Sequence, residues 1–238
     1  NKAWCEKNRV ERAQDFKNRE ESFASRNAMG TGPFTLVSRE PDVKSVFKKN
    51  PNWWGLKESL FEGNVTDIVY SPVKAEGTRM AALLSGNLDF VLDPPVQDVE
   101  KLKQNKAVRV YDGRENRIIF LGMDQARDEL LYSNVKGKNP FKDRRVREAM
   151  YRLIDVDAIN KAVMRGLSVP TAINLPNPTR AGIPKEMDKR YPHDVAAARK
   201  LLADAGYPDG FEVTLDCPNN RYINDEKICV AVAGMVAR

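Results

Sequence analysis

The stretch from Asn139 to Ile159 constrains the fold more than any other part of this chain. Pro140 sets a loop that delivers the aromatic Phe141. Asp143 follows as a helix N-cap candidate, because its carboxylate can accept the unpaired backbone N–H groups of a first helical turn. Val146, Ala149, Met150, Leu153 and Ile154 then recur at helical spacing, which predicts one apolar face. Asp155 and Asp157 break that helix and start another, which turns Ile159, Ala162 and Val163 inward. The two aspartates could pass for a catalytic carboxylate pair, but at a helix junction capping accounts for them. The expectation is a buried helix pair.

Composition narrows the function classes. A chain of 238 residues suffices for one large or two small domains. An apolar content of 42% fits a globular protein, and no uninterrupted apolar run is long enough to span a bilayer. The formal charge of +6 comes from 39 basic and 33 acidic residues, and the signs are interspersed, as in Arg19-Glu20-Glu21. Nucleic-acid binding would need a clustered basic stripe with stacking aromatics, and none is present.

The catalytic and metal signatures are also missing. His193, the single histidine, sits beside Asp194 at a predicted helix start, where a surface or capping role is expected. There is no Gly-x-Ser-x-Gly elbow and no His-Glu-x-x-His pair, and no spacing supports a Ser-His-Asp triad. Gly30-x-Gly32 lacks the Gly-Lys-Ser/Thr ending of a phosphate loop and precedes a strand, so it reads as a tight turn. No cofactor is indicated. The three cysteines, Cys5, Cys217 and Cys229, contain no C-x-x-C pair, so no metal site is indicated either. Cys217 ends a predicted strand and Cys229 lies in the next predicted helix. From the residues alone they are either two buried thiols or a disulfide closing the loop between them.

Along the chain, residues 1–26 are charged, with Trp4, Val10 and Phe16 as apolar anchors, and read as helical pieces. Strands are expected at 34–38, 44–48 and 65–73, with Pro41-Asp42 joining the first two. Trp53 and Trp54 lie between the turn residues Asn50-Pro51 and Gly55, so a corner with one indole packed inward is expected rather than a ligand platform. A helix over 78–84 stops at Gly86. Further strands are expected at 88–92, 107–111 and 117–121, with a helix over 96–102. Near 122–137 polar residues replace the apolar runs, which marks a domain boundary. A proline-rich loop carries Pro170, Pro176, Pro178 and Pro184. Asp194 should cap a helix running to Gly206, 211–215 should form a strand, and 228–236 reads as a helix.

Several of these segments share a wording. They are Gly30-Thr31-Gly32-Pro33-Phe34, Lys49-Asn50-Pro51-Asn52-Trp53-Trp54-Gly55, the run from Arg79 to Phe90, the 139–159 stretch, and Leu201 to Phe211. In this order they resemble the bacterial extracytoplasmic solute-binding proteins of ABC importers, in the peptide/nickel class known as family 5. The resemblance implies an α/β fold, with mixed-sheet lobes of the type II periplasmic-binding-protein kind, here incomplete. Members are usually much longer, Asn1 is not an initiator Met, and no charged-then-apolar signal segment precedes it. The chain therefore reads as a middle fragment. Residues 1–26 are a helical remnant, 27–122 belong to the first lobe, and 123–238 begin the second.

The same resemblance implies a function. It points to a periplasmic receptor with a small solute, short peptides foremost, as ligand and an inner-membrane ABC permease as partner. It implies no covalent chemistry. Secretion makes the Cys217–Cys229 disulfide the expected state, with Cys5 left over. Arg221 lies in the loop Cys217-Pro218-Asn219-Asn220-Arg221-Tyr222 after a predicted strand. Strand-end loops are where an α/β scaffold presents ligand groups, and a guanidinium fork matches a carboxylate. Peptide-binding members carry a carboxylate-clamping Arg in a similar loop, so Arg221 is the expected clamp, with Asn219, Asn220 and Tyr222 as further donors. Asp124 sits at the proposed crossover between lobes, where it either faces ligand or caps a strand end. Nickel chelates, opines and oligosaccharides are alternative solutes within the class. A hydrolase on the same scaffold is the alternative outside it, and it would need an activated nucleophile that the sequence does not display.

Overall fold

Aspartates at the head of helices build the frame that the later part of the chain hangs on. In the computed structural model, which describes residues 2–12, 21–58, 63–113, 115–176 and 182–238, the caps expected at Asp143, Asp155 and Asp194 are formed, while Asp157 lies within the first turn of its helix and does not cap it. Asp143 accepts the Arg145 N–H at 2.8 Å, Asp155 that of Ala158 at 2.9 Å, and Asp194 that of Ala197 at 2.9 Å. Each cap satisfies a donor that the helix itself leaves open, for about 1 kcal/mol. Phe16 and Pro178 lie outside the described residues. The chain falls into two compact units, Asn1–Ala81 and Ala82–Arg238. The division comes ahead of the composition change near 122–137, where the sequence suggested a boundary.

In the first unit, α1 (Lys2–Asn8) and α2 (Phe23–Arg26) are short pieces, and the Trp4 and Phe23 rings meet at 6.1 Å. β1 (Phe34–Glu40), β2 (Lys44–Lys49) and β3 (Asp67–Tyr70) form an antiparallel sheet in the order β1-β2-β3. Phe34 faces Lys49 and Glu40 faces Lys44, with a register shift between Leu36 and Ser38. Asp42 turns the hairpin at φ 57°, a conformation that Asp tolerates. At the tryptophan corner both indole N–H groups donate to the Thr31 carbonyl, at 2.9 and 3.2 Å. Trp53 packs against buried Gly55, where any Cβ would run into its ring, while Trp54 stays exposed.

α3 (Glu76–Leu84) ends at Gly86, whose φ of 77° lets Asn87 and Leu88 turn their N–H groups back to the Ala82 carbonyl. In the second unit a 3-10 turn, Val96–Asp98, runs into α4 (Val99–Gln104) and buries Val96, Val99 and Leu102. α5 (Arg144–Leu153), α6 (Val156–Ala162), α7 (Val195–Asp204) and α8 (Asp225–Val236) follow. Ala149 on α5 and Ala198 on α7 are fully buried, and such small residues let the two helices approach closely. Beside them Phe141, Val146, Leu130 and Tyr207 form the core, with Phe211 edge-on to Phe141 at 5.9 Å. Tyr151 and Tyr191 meet edge-on at 5.7 Å, with Arg190 over the first ring and Arg152 over the second, which fastens the 190–193 segment to α5.

The structure corrects one group of expectations. Segments 88–92, 107–111, 117–121 and 211–215 are not strands among the described residues. Their alternation marks faces correctly at 211–215, where Phe211 and Val213 pack on the core. A strand also needs a ladder of backbone hydrogen bonds to a neighbouring segment, and among the described residues these segments make none. Residues 211–215 are held instead by Asn134, which accepts the Glu212 N–H at 2.9 Å. Elsewhere large apolar side chains stand in the open, with Phe90 at 74% and Tyr111 at 84% exposure.

A candidate ligand site around Arg221

The loop from Cys217 to Asn224 joins the extended 211–215 segment to α8, and three ties fix its backbone. The first is Asp225, the opening residue of α8 and 5% exposed. One of its carboxylate oxygens accepts the N–H groups of Arg221 at 2.8 Å and Tyr222 at 2.9 Å, and the other accepts that of Glu226 at 2.9 Å. Burial alone would raise this carboxyl's pKa, but the donors from Tyr222, Arg221 and Glu226 outweigh it and hold the pKa below the ordinary aspartate value. The second tie is a disulfide between Cys217 and Cys229, with Cα atoms 6.3 Å apart, which ties the loop's first residue to α8. The third is Asn224, in the left-handed region at φ 54°, whose side chain donates to the Val163 carbonyl at 2.9 Å and so links α8 to the end of α6. Cys5 is unbridged.

On this fixed backbone the Arg221 side chain is exposed, its guanidinium 5.5 Å from the centre of the Tyr222 ring. No carboxylate of the described residues pairs with it. Asn219 and Asn220 are exposed on the same loop. A second guanidinium, that of Arg117, lies 5.4 Å from the centre of the same ring and pairs with Glu115 at 3.3 Å. Arg221, Asn220, Asn219 and Tyr222 thus share one locked loop.

Asp124 is engaged otherwise. Its carboxylate accepts the N–H groups of Ala126 at 3.0 Å and Arg127 at 3.2 Å, and pairs with the Arg127 guanidinium at 3.0 Å. The backbone donors from Arg127 and Ala126 hold its pKa below the ordinary range. Its carbonyl accepts from buried Asn139 at 2.8 Å, so this residue caps a turn and has no hydrogen bond or ion pair to the Arg221 loop among the described residues.

A cavity of about 250 Å³, lined by Gln97, Val163, Arg165, Asn224 and Lys227 among others, opens where α6 meets α8 and does not include Arg221. Among the described residues no cluster of His, Cys, Asp and Glu could hold a metal ion, and no helix is long and apolar enough to cross a membrane. His193 lies 3.7 Å from Asp155, beside two helix caps.

Sequence reasoning missed Asp225 and Arg117. Asp225 had a signal, as an acid just ahead of the predicted 228–236 helix. Arg117 had none, since it merely heads the apolar run Ile118-Ile119-Phe120.

Comparison with known proteins adds the family. The profile described as "Bacterial extracellular solute-binding proteins, family 5 Middle" matches residues 6–238. Heme-binding protein A of Haemophilus influenzae is 31% identical over 184 residues, covering 77% of this chain and 30% of that protein. The dipeptide-binding protein of Escherichia coli is 29% identical over 189 residues, covering 79% and 32%. The chain thus spans about a third of the length of these curated relatives. Among solved structures, a periplasmic binding protein of Helicobacter pylori in complex with the peptide STSA superposes with a TM-score of 0.65 at 22% identity, over 100% of this chain and 41% of that one. An agropinic acid complex from Agrobacterium tumefaciens gives 0.68 at 24%, over 99% and 42%. These likenesses establish the fold, which is part of the type II periplasmic-binding-protein architecture, helix and sheet combined. By its sequence, from residue 6 to its last, this chain belongs to the family 5 bacterial extracellular solute-binding proteins.

Proposed function

We propose that this chain is the middle portion of a periplasmic receptor for an ABC importer, which binds short peptides between two lobes and delivers them to an inner-membrane permease. In this reading residues 27–122 belong to the first lobe and 123–238 begin the second. The observation that carries the proposal is the locked loop that presents Arg221. Its backbone is held by Asp225 and by the Cys217–Cys229 bond, while its guanidinium has no carboxylate of the described residues to serve. A planar fork of donors on a rigid support suits the C-terminal carboxylate of a peptide. Asn219, Asn220 and Tyr222 supply further donors. A disulfide beside the site suits an oxidising compartment. Binding stabilises the closed lobes only by its differential affinity for them, and no bond of the ligand is broken.

In the full-length receptor Arg221→Ala should weaken a bound peptide by about 2–5 kcal/mol once closure has buried the pair. Calorimetry reads this directly, and an unchanged affinity removes Arg221 as the clamp. Native mass spectrometry of the gently purified receptor identifies the solute, with a released mixture of di- and tripeptide masses expected. Relatives are named for heme and for glutathione as well as for dipeptides, so a single non-peptide mass would keep the receptor and replace its ligand. Turnover of an ester or peptide panel would indicate a hydrolase instead.

A further inference from the structure

We infer that Arg117 is a second specificity-determining cation of this site, and that Arg117 and Arg221 together select solutes carrying two acidic groups. The inference rests on the proposed role of Arg221 and extends it. Both guanidinium groups sit against one ring, that of Tyr222, at 5.4 and 5.5 Å from its centre. They can be no farther apart than those two distances added together, within the span of one small dianion. Two like charges at that range repel, and contact with the electron-rich face of an aromatic ring offsets the repulsion without neutralising either charge. An anion that reaches both would neutralise them.

The nearby acids do not fill that role. Asp225 is buried, and its oxygens are engaged by three backbone N–H groups, so it orders the loop rather than facing either arginine. Among the described residues Glu115 pairs with Arg117 alone, 3.3 Å from its Nε, and that pair is exposed. An exposed pair of this kind is weak and yields readily to a competing carboxylate. A solute with one carboxylate would engage Arg221. A solute with a second acid a few bonds away would also engage Arg117 and displace Glu115. Peptides ending in Asp or Glu and small dicarboxylates share this chemistry.

The test titrates the full-length receptor with Ala-Ala-Ala, Ala-Ala-Asp and glutarate by calorimetry. Ala-Ala-Asp should bind about tenfold more tightly than Ala-Ala-Ala, the lower end of the coupling measured for close charge pairs. Arg117→Gln should erase this ratio by weakening Ala-Ala-Asp far more than Ala-Ala-Ala, whereas Arg221→Gln should weaken both peptides. Glu115→Gln should increase the ratio by removing the internal competitor, an effect that a merely structural Arg117 would not produce. Arg117→Lys, which keeps the charge if the glutamine variant misfolds, should retain part of the ratio. Equal affinities in the wild type, or a ratio that survives Arg117→Gln, overturns the inference. If neither peptide binds, the peptide reading fails by itself. Glutarate binding that disappears in Arg117→Gln then upholds the two-cation site, and no glutarate binding overturns that too.

Discussion

Two regions of residues 82–238 contrast sharply. Around α5, α7 and α8 every local signal finds its partner within the chain. Aspartate caps close the starts of α5 and α7, Ala149 meets Ala198, and Asp225 with the Cys217–Cys229 bond fixes the loop that bears Arg221. In the strands expected at 88–92, 107–111 and 117–121 the signals are as strong, but among the described residues these segments are unpaired and carry exposed apolar side chains such as Phe90, Tyr111 and Phe120. A helix satisfies its backbone internally and needs only one face covered, whereas a strand needs a second chain segment beside it before it exists. The first region is self-sufficient, and the second depends on what lies next to it.

The largest test of this contrast sets two phenylalanines against each other. Phe141→Ala should cost about 3–5 kcal/mol in urea unfolding, because it empties the core, while Phe90→Ala should stay within about 0.5 kcal/mol. A comparable loss at Phe90 would mean that the 88–121 region is covered in solution. Next, replacing Cys217 and Cys229 by Ser should cost about 3 kcal/mol, the figure expected for a short closed loop, and should speed amide exchange at Arg221 and Tyr222. Unchanged exchange would show that Asp225 holds the loop without help.

A smaller effect follows from Asp225 itself. Its folded pKa lies below the ordinary value of 3.8, so its contribution is complete above that value and is lost as the pH falls through the folded one. Exchange at Arg221 and Tyr222 should therefore be flat at mildly acidic pH, after correction for the intrinsic rate, and should rise only below about pH 4. A flat profile through that range, or Asp225→Asn with unaltered exchange, would remove the carboxylate from the loop's support. The smallest effect is expected at Asp124. Asp124→Ala should loosen the 124–127 turn and leave ligand affinity untouched, since its oxygens already serve Ala126 and Arg127. A loss of affinity would bring Asp124 into the site.

The helical half of the fold was legible because its signals are local. Asp143, Asp155 and Asp194 each act within three residues of themselves, and the α5 apolar stripe repeats within ten. The hairpin of β1 and β2 was legible for the same reason. The strands expected at 88–92, 107–111 and 117–121 were not realised, since alternation specifies which way side chains face and not which segment lies alongside. Within the site, Arg221 stood out by its place in a loop after an alternating run. Arg117 did not, because its nearness to Tyr222 joins positions far apart in the chain.

By itself the sequence showed the family, through the order of its motifs, and it determined the caps at Asp143, Asp155 and Asp194, the hairpin and the loop that carries Arg221, which rest on short-range chemistry between neighbours. The tertiary structure alone decided that Asp225 turns its carboxylate onto the backbone of that loop, that Asp124 is taken up by its own turn, and that two arginines from separate segments meet at one tyrosine ring. Those outcomes depend on where remote segments come to rest. Burial and closure of the whole chain set that, and no local pattern encodes it.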